Sequence, residues 1–193
     1  AKQDAEKLSG KGDTSQRLTL MKTSADSLKK SADALNDSSL WEKKKIKKKD
    51  EKTGEEIEVE DYDWDKITKA VKSFVEDYND VVKEAGESNT KDVLRNASWM
   101  TGMTDKNSNM LAQIGITIGK GNKLELDEDA LKQADISSLK TVFTGYNSFV
   151  SKISQKATGI SNAANRASAT YTNNGTYSKT DSSLTSSKID KEV

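Results

Sequence analysis

Six apolar residues, Leu18, Met21, Ala25, Leu28, Ala32 and Leu35, recur at spacings of 3, 4, 3, 4 and 3. Only an α-helix keeps such a set on one side, and the stripe it makes is narrow, two positions in seven. A stripe of that width cannot be buried by the helix that carries it, so a partner helix is required. Ser15 is placed to cap the start of this segment, and the polar "NDSS" at 36–39 ends it. A second helix is predicted in "DWDKITKAVKSFVEDYNDVVKEAG", with Ile67, Val71, Phe74, Tyr78, Val81 and Ala85 on its apolar face, Asp63 or Asp65 at its cap and Gly86 at its stop. A third starts at Thr90 with Val93, Leu94, Ala97 and Met100 sharing a face, then weakens in "TGMTDKNSN". The last long helix runs through "YNSFVSKISQKATGISNAANRASATY" with Phe149, Ile153, Ala157, Ile160, Ala164 and Ala167 in line, beside small residues at Gly159, Ala163 and Ser168. The first and last stripes are expected to pack on each other, or on another chain.

Two interruptions break the helical pattern. In "LWEKKKIKKKDEKTGEEIEVEDYDW" the lysine run suggests a phosphate-binding patch, but an acidic strand follows after a turn-like "DEKTG". A hairpin with Ile46 opposite Ile57 sets Lys45 near Glu58 and Lys47 near Glu56. Residues 42–63 hold seven Lys and nine Asp or Glu, so the charges of the segment largely cancel. The second interruption, "IGITIGKGNKLELDEDALKQA" at 114–134, alternates on both sides of "GKGN" and then opens a helix capped by Asp127. "DISSLKTVFTG" adds a short helix with Ile136, Leu139, Val142 and Phe143 inward, stopped at Gly145.

The predicted fold is mainly α, an elongated helical bundle or coiled-coil stalk with two small β-hairpins. Its expected organisation is a flexible leader at 1–14, a single helical domain over 15–178 with hairpins near 42–60 and 114–126, and a disordered tail at 179–193. The chain of 193 residues is 32% charged and only 33% hydrophobic, which favours elongated packing over a thick core.

Chemistry is constrained by what the composition lacks. With no Cys and no His there is no thiol nucleophile, no imidazole base, no serine–histidine triad and no ordinary zinc site. "DEDALKQAD" lacks the glycine and the distant glutamate of a calcium loop, and "GKGNK" is too short to cradle phosphate. No catalytic, cofactor or metal residue is therefore assigned, and an enzyme is not expected. Thirty-one Lys and Arg balance thirty-one Asp and Glu, so no global field favours nucleic acid. No run reaches the length needed to span a membrane, and the first residues lack the apolar core of a signal peptide, leaving cytoplasmic residence, export without a cleaved signal, or prior removal of a signal. The three tryptophans, 41, 64 and 99, are expected to anchor helix ends to the first hairpin.

Taken in order, "FVEDYNDVV" at 74–82, a helix, "IGITIGKGNKLELDEDALKQA", "LKTVFTG" at 139–145 and a helix closing on "TNNGTYS" at 172–178 resemble the C-terminal region of the flagellar hook-associated protein 2 family, the bacterial filament cap. In that family a large β-rich region separates the N-terminal helices from the C-terminal part; here only the hairpin near 42–60 occupies that place. The resemblance implies a structural flagellar subunit, exported without a cleaved signal peptide to the extracellular filament, that assembles with itself and contacts flagellin or other hook-associated proteins. It also implies that the helices at 15–38 and 146–171 are two legs of one stalk. Leu18, Met21, Leu28, Leu35, Phe149, Ile153 and Ile160 are the candidate assembly seam, where stalk helices or subunits meet. A non-flagellar helical adaptor or cell-surface interaction protein is the other class the pattern allows.

Overall fold

A computed structural model describes residues 12–169. Its elements are α1 (Ser15–Asn36), β1 (Lys44–Lys49), β2 (Glu56–Asp61), α2 (Trp64–Gly86), α3 (Lys91–Lys106), α4 (Ser108–Ala112), β3 (Ile116–Ile118), β4 (Leu124–Leu126), α5 (Glu128–Gln133), α6 (Ile136–Phe143) and α7 (Phe149–Ala169). The mainly α expectation with two small hairpins holds. α1 packs along both α7 and α2, and α3 packs on α7 and α2, so the order around the bundle is α1, α7, α3, α2.

Each long helix buries the face its spacing dictates. On α1 the buried set is Leu18, Met21, Ala25, Leu28, Ala32 and Leu35, and on α2 it includes Ile67, Val71, Phe74, Tyr78, Val81 and Ala85. Thr14, not Ser15, caps α1, its side chain accepting from the Arg17 amide at 3.2 Å. Ser15 is instead the first helical residue. Asp63 caps α2 through the Lys66 amide. The polar stretch after Met100 stays helical to Lys106 because Thr104 continues the Val93, Ala97, Met100 stripe. Its hydroxyl donates to the Met100 carbonyl at 2.9 Å and accepts from the Tyr78 hydroxyl at 2.8 Å, so a buried polar group is satisfied on both counts. Burial pushes the Tyr78 hydroxyl up to about 12 against the opposing bond to Thr104. Leu94, expected on the same face, is 40% exposed because the stripe runs through 93, 97, 100 and 104 and position 94 lies about 100° off it.

The charge-paired hairpin forms in a register two residues from the expected one. Ile46 faces Val59, Lys45 faces Glu60, Lys47 faces Glu58 and Lys49 faces Glu56. A two-residue turn at Glu51 and Lys52 would need left-handed backbone at residues that disfavour it. Instead the Asp50 carboxylate accepts from the Lys52 and Thr53 amides at 2.7 and 3.0 Å, and Gly54 takes φ 72°. The Asp50 amide then bonds to the Glu55 carbonyl at 2.9 Å, closing a longer loop and moving each partner two along. A two-residue shift keeps every side chain on its face, so lysine still meets glutamate. Lys47 reaches Glu56 at 3.8 Å on the diagonal and Lys48 reaches Asp61 at 2.5 Å.

The second hairpin pairs Ile116 with Leu126 and Ile118 with Leu124, and Asp127 caps α5 through the Asp129 and Ala130 amides. Gly115 is required twice over here. Its φ is 81°, and a β-carbon would stand 2.7 Å from the Asp127 carbonyl oxygen and 2.9 Å from the Leu131 amide, so the start of α5 packs directly on its backbone. Asn79 of α2 holds the unit by bonding both the amide and the carbonyl of Leu124, at 2.7 and 2.8 Å.

The tryptophans divide. Trp41, in a short 3-10 turn after α1, stacks on Phe143 of α6 at 5.4 Å and donates its indole N–H to the Leu35 carbonyl at 2.8 Å. It closes the end of α1 against α6 and not against the hairpin. Trp64 starts α2 edge-on to Tyr62 at 6.4 Å, beside the hairpin base. Trp99 lies in the middle of α3 and is 54% exposed, one residue and hence about 100° from buried Met100. It anchors nothing to the hairpin. Trp41→Ala is expected to lower unfolding free energy by about 3–5 kcal/mol, read from urea midpoints, because the site loses a fully buried ring and an indole bond together.

Candidate assembly seam

The stripes of α1 and α7 meet inside the chain. Leu18, Met21, Leu28, Leu35, Phe149, Ile153 and Ile160 are each no more than 3% exposed, and all seven belong to one continuous core. Ala25 and Ala32 on α1 and Ala157, Ala163 and Ala164 on α7 alternate with the larger side chains, which lets the two helices approach along their length. Phe149 at the head of α7 meets Phe74 of α2 edge-on at 6.3 Å and ties the pair to the second layer.

The pair is antiparallel, and two polar bonds mark its register. Ser154 donates to Asp33 and Ser161 donates to Asp26, both at 2.6 Å. Seven residues forward on α7 match seven residues back on α1. Each aspartate is also bonded along its own helix, Asp26 by Lys22 and Asp33 by Lys29. These residues were not among the sequence-predicted site residues, although α1 repeats itself as "KTSADSL" at 22–28 and "KKSADAL" at 29–35, which places a Lys-x-x-x-Asp pair on the same edge of the stripe in consecutive heptads. The bonds from Lys22 and then Ser161 hold the Asp26 carboxyl below its ordinary value. At Asp33 burial works against the charge, but the bonds from Lys29 and Ser154 outweigh it, and that carboxyl is lowered too.

A third helix closes on α7. Gly159 leaves room for the Asn96 side chain of α3: a β-carbon there would lie 2.6 Å from its oxygen. At the other end, Asp13 joins α1's approach to the α2–α3 connection. It lies within the stretch expected as leader and is buried, accepting from the Ser88 hydroxyl at 2.6 Å, the Asn89 amide at 2.9 Å, and the Thr90 amide and hydroxyl at 3.0 and 2.6 Å. Thr90 begins α3 but makes no side-chain cap of its own, and the Asp13 carboxylate instead holds the Thr90 amide and hydroxyl at the helix entry. Burial opposes its charge, and the bonds from Ser88, Thr90 and Asn89 override it, leaving the Asp13 carboxyl below its ordinary value. The rest of the expected leader and the expected tail at 179–193 lie outside the described residues.

Among the described residues no group of three or more acidic side chains is disposed to hold a metal ion. Asp127 and Asp129, weighed above as calcium ligands, sit in the cap of α5. No helix of the described residues is long and apolar enough to cross a membrane. Lys44, Lys45, Lys47 and Lys49 of the first hairpin face Asp61, Glu60, Glu58 and Glu56 rather than forming an open basic surface.

Residues 85–192 match the family model described as flagellar hook-associated protein 2 C-terminus. The matched span takes in everything from the end of α2 through α7 and leaves out α1 and the first hairpin. No curated protein and no solved structure matches the chain.

The lowered carboxyls set a direction for acid unfolding. A group depressed in the folded chain stabilises it fully above the unfolded-state value, about 3.9, and that contribution disappears as pH falls through the folded value. Urea midpoints are therefore expected to drop below pH 4, and to drop less in the Asp26→Asn, Asp33→Asn double variant; an unchanged acid limb in that variant would count against the interhelical bonds. Ser154→Ala and Ser161→Ala should each cost about 1 kcal/mol at pH 7, and less at pH 2.

Proposed function

The chain belongs to the flagellar hook-associated protein 2 C-terminus family, and from that premise we propose that it is a cap-like structural subunit of the bacterial flagellum that works by assembling with copies of itself and touching flagellin or the hook junction. The family match over 85–192 is the observation that carries this reading. It supports a flagellar, cap-related structural role. The fold supports the finer reading physically. α1 and α7 return along each other as two legs of a stalk, and α1 alone, 22 residues long, reaches about 33 Å.

In this reading the seam residues Leu18, Met21, Leu28, Leu35, Phe149, Ile153 and Ile160 join leg to leg, so that the stalk presents a fixed outer surface to its neighbours. The protein acts outside the cell, reaching the filament by export without a cleaved signal peptide. A non-flagellar adaptor would use the same bundle, but nothing in the geometry favours it over the family's own setting.

Antibodies against the purified protein test the proposal on sheared, detergent-washed flagella. Label is expected on the filament end or at the hook junction, and cells lacking the gene should shed flagellin into the medium. Label confined to the cell body, with normal filaments in the deletion strain, would refute it.

A further inference from the structure

The two ends of α1 are closed by different chemistry. At its C-terminal end Trp41 stacks on Phe143 with both rings buried, whereas the stretch that enters α1, residues 13–17, reads Asp-Thr-Ser-Gln-Arg and contains no apolar side chain. Residues 86–92, which lead the chain from α2 into α3 beside it, contain none either. The nearest apolar anchors are Leu18, Ala85 and Val93, all buried, so the core stops short of this corner. Between the first turn of α1 and the last turn of α2 lies a depression of about 280 Å³, lined by Thr14, Arg17, Leu20, Lys83 and Glu87, and the two helices do not close on each other there.

Polar bonds hold the corner instead. Asp13 Oδ1 accepts from the Asn89 amide, and Oδ2 accepts from the Ser88 hydroxyl and from both the amide and the hydroxyl of Thr90. Arg17 adds a second grip, donating to the Glu87 carbonyl at 3.0 Å and to the Glu87 carboxylate at 2.9 Å. Each of residues 87–90 is thus bonded to residue 13 or residue 17. Four donors from three successive residues converge on one carboxyl group, so moving that group breaks their bonds together. Such bonds are exchanged for bonds to water on opening and return most of their energy, whereas buried apolar contacts are lost outright. This corner is therefore where the bundle opens at least cost.

We propose that residues 13–17 and 87–90 form an end clasp, a conformational device that opens as one unit while the apolar bundle beyond Leu18, Ala85 and Val93 stays closed. Closed, the clasp fixes the direction in which the chain ahead of Asp13 leaves the bundle and ties it to the first turn of α3. Open, it frees that direction, lets the first turn of α1 fray and uncovers the Asn89 and Thr90 amides. The C-terminal part of α7 reaches the same corner, where Arg166 stands 3.6 Å from Asp92, so the clasp lies where α1, α3 and α7 come together. It works within a single chain and does not depend on the self-assembly reading.

Native-state hydrogen exchange of the full chain, followed amide by amide, tests it. One group of probes is the Arg17 and Leu18 amides, which bond to Thr14; the other is the Asn89 and Thr90 amides, which bond to Asp13. In the wild type both groups are expected to exchange through one shared opening, about tenfold or more faster than Leu28 and Ile153 in mid-bundle and with a weaker dependence on urea. Asp13→Asn keeps the size of the side chain and removes its charge, and should speed both groups by the same factor, about tenfold. The Asp13→Ala, Arg17→Ala double variant should hold the clasp open: N–H order parameters at 13–17 and 87–90 fall below about 0.6, while the amide shifts of Leu28 and Ile153 and the near-ultraviolet signal of Trp41 stay as in the wild type. Exchange of the corner at the rate and urea dependence of mid-bundle would show that it has no opening of its own, and the proposal falls. Faster exchange at Asn89 and Thr90 without a change at Arg17 and Leu18 would reduce Asp13 to a local contact of α3 and also overturn it. So would loss of the mid-bundle signals in the double variant, since the rest of the bundle would then open with the corner.

Discussion

Close packing of α1 against α7 is the interaction on which the rest of the bundle is built. Without it α1 would leave part of its apolar line uncovered, since α2 packs on only one flank of that helix. Alanines between the larger residues bring the two axes close, and once they are close every other helix has a fixed wall to pack on. α2 reaches the pair through Phe74 and Phe149, and α3 reaches it where Gly159 leaves room for Asn96. Burial of the apolar stripes supplies the driving force, at about 25 cal/mol for each Å² removed from water.

Apolar stripes of uniform spacing leave a question that they cannot answer themselves. A slide of one heptad would present nearly the same line of leucine and alanine to the partner, so hydrophobic burial alone discriminates weakly between registers. Asp26 with Ser161 and Asp33 with Ser154 add a bias, because both pairs repeat at seven and a one-heptad slide remakes one bond but leaves one buried serine hydroxyl without its carboxylate. Asp13 does the same for the opposite end, where it ties the approach to α1 to the first turn of α3. Directionless burial makes the bundle compact, and a few short polar bonds bias it toward one alignment.

How much of this was legible in the sequence depends on the range of the interaction concerned. Residues 18 to 35 declared their helix face because local spacing determines which side chains share a side, and Asp127 declared a cap because the amides it accepts from are two and three residues away. The first hairpin was legible in charge and pairing but not in register, because the Asp50 side chain reshapes the turn by a bond that spacing does not reveal. The bonds of Asp13 and of the two serines were invisible for a different reason. Their partners stand 75 to 135 residues away, and no local pattern names a partner at that distance, although the duplicated heptads of α1 marked one side of the contact. Trp99 was misplaced because aromatic residues are presumed inward; its one-residue offset from Met100 was the signal that it points out.

The first hairpin leaves the bundle and returns to it at neighbouring points, since Lys44 and Asp61 stand opposite each other at its base. Two chain ends held about 5 Å apart are what an inserted module needs at its junction. Extending the excursion costs little closure entropy, roughly 0.6 kcal/mol for each doubling of its length, and disturbs none of the helices on either side. The base of the ribbon thus has the geometry of a graft point, two neighbouring ends that a longer excursion could span with the shaft below left in place.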